Sequence, residues 1–287
     1  MNSIKVAHSP DADDIFMYYA IKFGWVDVGL LPFENIADDI ESLNKATLKG
    51  KYDICAISFA LYPFVKKDYA LLKTAVSFGE GYGPKLIKQK RKILKENFTV
   101  ALSGEYTTNA MLFRIKYPNA KITYMNFLDI QNAVLYGKVD AGVLIHESIL
   151  SYDDSLEVEC EIWDIWQELS GKYLPLPLGG MCIRRSLPIN KAIDYERYLI
   201  KAVDVANKNK KLLSQMLTQR ELIRVDDKTL DKYLKLYAND SSVQLSEIQI
   251  EAIDKLFTIG YEYGFYKDIT KTDQHIIPTE YEKLRGK

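Results

Sequence analysis

The chain has 287 residues but only three cysteines and three histidines, and neither type clusters. Cys55, Cys160 and Cys182 stand far apart with no Cys-x-x-Cys pair, which argues against a disulfide framework and against a structural zinc site. Reduced, mostly buried thiols are expected, and they suit the cytoplasm. No apolar run approaches the roughly 20 residues needed to span a bilayer. The first residues, Met1 to Asp14, pass from a short apolar stretch straight into acids, without the basic start and longer apolar segment of a secretory signal. A cytoplasmic protein with no membrane insertion is expected. Excess charge of one sign is missing too: 38 Lys and Arg face 39 Asp and Glu, a net charge of -1. No general field therefore favours nucleic acid or an anionic membrane. Internal repeats and low-complexity linkers are also missing.

What is present is an alternation of short β-branched runs with helical patterns, the signature of an α/β fold with largely parallel sheet. Ile4 to Ala7 reads as a first strand stopped by Ser9-Pro10, and Ile15, Phe16, Tyr19, Ala20 and Phe23 follow at helical spacing up to Gly24. A helix over Asp38 to Leu48 and a strand over Tyr52 to Ile57 come next. Strands are predicted at Asn97 to Leu102, Lys121 to Tyr124 and Ala141 to Ile145, with helices at Thr107 to Tyr117 and Leu128 to Tyr136. The stretch after Leu187 is mainly helical. Without a flexible linker, two lobes must be joined by ordered strands; the candidates are Phe98 to Leu102 outward and Leu178 to Arg184 back. Residues 1–98 and 190–287 would form one discontinuous α/β lobe and residues 99–189 the other, closing on a ligand cleft.

Ligands of parallel α/β sheets collect at the carboxyl ends of strands. Four such ends carry polar or ionisable residues: Ser9, Ser58, the group Ser103 with Thr107, Thr108 and Asn109, and the group His146, Glu147 and Ser148. Three of them also open a helix, whose free N–H groups and dipole attract a carboxylate or phosphate. Ordinary N-capping accounts for each of these residues individually. Asp11, Asp13 and Asp14 complement the dipole of the first helix, and no matching ligand spacing supports a metal there. His146 ends the apolar run Val143-Leu144-Ile145. Two readings fit it: a general base of near-neutral pKa, or a structural histidine bonded to a backbone group. His8 is expected on the opposite face of its strand and His275 in a polar tail. Gly79 to Pro84 lacks a phosphate-loop pattern and reads as a turn or cleft-lining loop. The basic run Lys85 to Lys95 reads as a solvated surface segment, and Trp163 and Trp166 as packing residues.

The chain resembles the 1,4-dihydroxy-6-naphthoate synthases of the futalosine route to menaquinone. Its resemblance rests on Ser9-Pro-Asp-Ala-Asp-Asp-Ile-Phe16, Ile57-Ser58-Phe59-Ala60, Gly81-Tyr-Gly83-Pro84 and Thr107-Thr108-Asn109-Ala110. The most specific stretch is Asp140-Ala-Gly-Val-Leu-Ile-His146-Glu147-Ser148, followed by Trp163, Trp166 and Leu174-Pro-Leu-Pro-Leu-Gly-Gly180. The first motif departs from the Ser-Pro-Cys-Pro-Asn-Asp form common in that family, which leaves the role of Asp13 open while Asp14 still matches the family's acid.

This resemblance implies a two-lobed, periplasmic-binding-protein-like (type II) fold and a lyase that needs no cofactor. Cyclic dehypoxanthinyl futalosine, a small carboxylate, would be cleaved to 1,4-dihydroxy-6-naphthoate and dihydroxyacetone. It further implies that His146 is the proton acceptor and that Ala56, Ile57, Ser58, Thr107, Thr108 and Asn109 contact substrate, to which the strand-end reading adds Ser9. Two alternatives share the architecture: a chorismate dehydratase of the same pathway, and a non-catalytic binding protein for a small carboxylate.

Overall fold

The computed structural model describes residues 3–29, 33–223 and 225–277; the side chain of Asp13 lies outside the described residues. The first sheet starts with β1 (Ile4–His8), followed by α1 (Ala12–Lys22), β2 (Phe33–Ala37), α2 (Ile40–Leu48) and β3 (Ile54–Ser58). Strands β2 and β3 run parallel to β1 on either side of it. A short helix α3 (Tyr62–Val65) then leads to β4 (Tyr69–Leu71) and β5 (Ser77–Gly79). The second sheet takes β6 (Lys85–Gln89), β7 (Thr99–Leu102), α4 (Thr108–Lys116), β8 (Lys121–Tyr124), α5 (Phe127–Leu135), β9 (Ala141–Leu144) and β10 (Leu156–Glu161). After α6 (Ile162–Ser170) the chain returns to the first sheet as β11 (Leu176–Arg184), and it finishes in α7 (Ile189–Lys208), α8 (Lys210–Gln219), α9 (Asp227–Tyr237) and α10 (Glu247–Glu262).

The strand orders are β2-β1-β3-β11-β4, with β5 also on β11, and β10-β6-β9-β7-β8. Burial explains these orders. All residues of β3 and β9 are buried, as central strands covered on both faces require. The edge strands β2, β8 and β10 carry mostly exposed or half-buried residues. Helices α7 and α9 pack on α1, while α10 packs against both α6 and β11. None of the helices among the described residues is long and apolar enough to cross a membrane.

Three expectations need correction. The sheets are mixed, not largely parallel, because β11 runs antiparallel to β3, β4 and β5, and β6 runs antiparallel to β9 and β10. The chain changes sheets in the loops at 80–84 and 171–175, so Phe98 to Leu102 lies inside the second sheet and Leu178 to Arg184 inside the first. Finally, the basic run begins as a strand: Leu86 and Ile87 are fully buried in β6, and Lys88 meets Glu157 and Glu159 of β10 at 3.6 and 2.5 Å. Its strand lysines, Lys85 and Lys88, form cross-strand pairs with acids of β10, which a count of lysines does not distinguish from a solvated face.

Strand β9 carries the chain to His146, and two features fix it. Asp140, just before it, accepts hydrogen bonds from the Thr99 N–H (2.8 Å) and hydroxyl (2.7 Å) and pairs with Lys92 at 2.9 Å. These contacts, Lys92 foremost, hold its carboxyl down at about 2. Gly142 lies beneath α5, where a β-carbon would stand 2.5 Å from Ile130 Cγ2 and 3.0 Å from Val134 Cγ2. Overpacking predicts that Gly142→Ala lowers unfolding stability by about 1–3 kcal/mol, readable as a lower denaturant midpoint at unchanged slope. Asp140→Asn should cost about 1 kcal/mol, after discounting for solvent screening. Because the native carboxyl titrates below its unfolded value of 3.8, the difference between Asp140→Asn and the native protein is complete above pH 4 and closes as the pH falls toward 2.

Candidate active site

The four strand ends converge. One cavity of about 750 Å³, its open mouth included, is lined by Ser9, Ala56, Ile57, Ser58, Thr107, Thr108, Asn109 and His146. The strand-end rule brings them together because β1, β3, β7 and β9 all release the chain toward the same space. Glu147 is buried beside His146, and Ser148 turns its hydroxyl back to the Ile145 carbonyl, closing the 3-10 turn His146–Ile149. Neither belongs to the cavity lining.

Asn44 of α2 sets Ser58. This fully buried side chain accepts the Ser58 N–H at 3.0 Å and donates to Ser58 Oγ at 3.1 Å. With its oxygen already accepting, the Ser58 hydroxyl keeps its proton for a ligand oxygen. The Thr108 hydroxyl is committed differently: it donates to the Leu178 carbonyl at 3.0 Å and accepts from the Ala60 N–H at 3.3 Å. An anion would therefore meet Thr108 through the backbone N–H at the start of α4 rather than through its hydroxyl. Thr107 caps that helix, accepting from the Ala110 N–H at 3.3 Å and donating toward Gly104 O and Asn109 Oδ1.

At the other side of the cavity, His146 adopts a left-handed backbone with φ 56°. Its Nδ1 lies 2.8 Å from Asp11 Oδ2, and the ring meets Phe127 edge to face at 4.9 Å. The same Asp11 oxygen accepts from the Ser9 hydroxyl, and Asp14 accepts the Ser9 N–H at 2.8 Å. The acids at the start of α1, Asp11 and Asp14, therefore organise the site, a role that dipole complementation alone does not predict. His8 sits below the lining, stacked on Tyr18 at 4.6 Å, with burial pushing its imidazole below the ordinary value. His275 is not an inert tail: its Nδ1 is 3.0 Å from Arg185 Nη2, and its backbone carbonyl accepts the Leu71 N–H.

Ser103, read from sequence as a strand-end residue, lines the cavity too, and so do residues whose part in it sequence reasoning missed: Asp11, Asp14, Ser77, Tyr233 and Tyr237. Ser103 Oγ is buried with no hydrogen-bond partner among the described residues. The two tyrosines come from α9, far along the chain from the strand ends of the first sheet; only their spacing of four, which puts them on one helix face, hinted at a shared role. Trp163 and Trp166 are packing residues, as read from sequence, with Trp166 Nε1 donating to the Leu174 carbonyl at 2.8 Å. Among the described residues lining the cavity there is no Lys or Arg.

Residues 4–262 match the family described as menaquinone biosynthesis. A 1,4-dihydroxy-6-naphthoate synthase of Streptomyces coelicolor is 29% identical over 267 residues, covering 90% of this chain and 92% of its own. A protein of known crystal structure from Archaeoglobus fulgidus is 33% identical, with a TM-score of 0.86 over 92% of this chain and 98% of that one. The periplasmic aliphatic sulphonate binding protein of Escherichia coli superposes with a TM-score of 0.65 at 10% identity, over 96% of this chain and 92% of that one. That last likeness is one of fold, and the fold is the two-lobed periplasmic-binding-protein-like type expected from sequence.

Asn44→Ala leaves the Ser58 N–H without its buried acceptor. The expected cost is about 1–3 kcal/mol of stability, read by chemical denaturation, together with weaker ligand binding in the cavity, read by calorimetry.

Proposed function

The chain belongs to the menaquinone biosynthesis family, and from that premise we propose that it is a carbon–carbon lyase converting cyclic dehypoxanthinyl futalosine to 1,4-dihydroxy-6-naphthoate and dihydroxyacetone. The observation that carries this reading is the convergence of His146, Ser58 and residues 107–109 on one cavity. His146 is the general base. It takes a hydroxyl proton from the polyol part of the substrate; the oxygen's electrons form a carbonyl as the adjacent carbon–carbon bond breaks, and the released pair moves toward a carbonyl of the ring system. Aromatisation to the naphthalene product drives the step.

A carboxylate in this cavity finds hydrogen-bond donors instead of a cation. The N-terminus of α4 offers backbone N–H groups and a favourable dipole, while Ser103 and Ser58 supply hydroxyls. The acids Asp11 and Asp14 lie with His146 and repel that end of the substrate, which orients it with its polyol toward the base. Tyr233 and Tyr237 offer broad, partly apolar walls for a fused-ring body.

Incubation with the cyclic substrate should release dihydroxyacetone and the naphthoate chromophore. His146→Gln should lower kcat by about 10²–10⁴-fold while calorimetric binding of substrate persists. Turnover of chorismate in place of the cyclic substrate would instead identify a dehydratase. Binding without turnover of either compound would identify a solute-binding protein.

A further inference from the structure

We propose that Asp11 is the positioning residue of His146: its carboxylate holds the imidazole as the Nδ1–H tautomer and keeps the ring basic, leaving the Nε2 lone pair to take the substrate proton. The inference rests on the reading of His146 as general base, and it adds the group through which that base is tuned.

The placement of Asp11 is not that of a capping residue. It occupies the N-cap position of α1 with extended backbone, φ -76° and ψ 158°, yet its side chain makes no cap hydrogen bond. Capping, worth about 1 kcal/mol where it occurs, is therefore not what holds an aspartate here. The carboxylate is instead turned into the site, 2% exposed, with Oδ2 shared between His146 Nδ1 and the Ser9 hydroxyl. Asp14, on the next turn, is engaged with the Ser9 N–H. Ser9 thus ties the two acids together and fixes the direction of Asp11 before any ligand arrives.

The histidine is held equally firmly. A non-glycine residue in the left-handed region carries a strain of about 1 kcal/mol or more, and His146 lies there at φ 56°. The contacts that hold it include the Asp11 pairing and the edge-to-face packing on Phe127. Once Nδ1–H points at a carboxylate, the proton acceptor of the ring is Nε2, on its opposite edge. When Nε2 takes a proton, the imidazolium forms beside a buried anion, which lowers the energy of the charged state. The same two effects, tautomer and charge, account for orienting carboxylates wherever a histidine acts as base. Among the described residues, the other titratable groups around this cavity are Asp14 on α1, Tyr233 and Tyr237 on α9 and, within the turn of His146 itself, Glu147; α5 presents the apolar ring of Phe127.

Asp11→Asn separates charge from shape, since an amide oxygen can still accept from both Nδ1–H and the Ser9 hydroxyl. With three histidines in the chain, NMR titration of the imidazole resonances, assigned through His146→Gln, reads the basicity of His146 without substrate. Asp11→Asn should lower the titration midpoint of His146 by about one pH unit or more and shift the acidic limb of kcat/KM down with it. kcat should fall about 10-fold or more in Asp11→Asn and about 10²–10⁴-fold in Asp11→Ala, with KM changed far less. An unchanged His146 midpoint with an unmoved acidic limb in Asp11→Asn would overturn the proposal, whatever happened to stability. If Asp11→Ala fails to fold, the near-isosteric Asp11→Asn still decides. If the native protein does not turn over the cyclic substrate, the functional reading fails; the NMR midpoint alone then supports or overturns the pairing, a fall upholding it and no change refuting it.

Discussion

The insertion of β11 between β3 and β4 is the constraint on which the rest of the molecule depends. This antiparallel strand seals the edge of β3 and places Gly179 opposite Ser58 and Gly180 opposite Ile57, so the cavity floor is backbone. A β-carbon at Gly179 would stand 2.8 Å from the Ile57 carbonyl oxygen, closer than real contacts allow. One residue earlier, the Leu178 carbonyl receives the Thr108 hydroxyl and so ties the start of α4, an element of the second sheet's surroundings, to the first sheet. Sheet closure, cavity floor and the seat of α4 thus come from a single strand. A cost in any of the three is a cost in all, because buried backbone groups need their partners.

The electrostatics of the cavity divide it by function. Two carboxylates and an imidazole gather at the end of β1 and β9, while hydroxyls and the N-terminus of α4 face them. A site with lysine or arginine would grip any small anion; under the proposed reading, aligned dipoles would recognise the substrate carboxylate here, and they demand the right shape as well as charge. The acids would disfavour a ligand with carboxylates at both ends. The tyrosines of α9 add a wall drawn from the C-terminal helices, so the cavity draws on residues spread through most of the chain.

Much of this was legible before folding. The strands that end near Ser9, Ser58, Ser103 and His146, and the helices that open after Ser9 and at Thr107, follow from local periodicity, and observed boundaries such as Lys121–Tyr124 and Ala141–Leu144 lie within a residue of those predicted. Edge strands were a weak point, since β2 and β10 have no clean alternation; the interior strand Lys85 to Gln89 was hidden by its lysines, whose charges are balanced by β10 across the sheet. Asp11 shows the same limit at the site. As one of three acids at a helix start it had a sufficient local explanation, and nothing nearby in sequence points to the histidine that follows β9.

The sequence alone determined what each segment could become and which polar residues would stand at strand ends, because side-chain period and capping chemistry act over a few residues. Tertiary structure decided which of those ends share one cavity, that β11 returns antiparallel, and that Asp11 turns to His146 instead of capping its helix. Those outcomes depend on strand register and on burial of partners far apart along the chain, and such pairings leave no periodic trace within either partner.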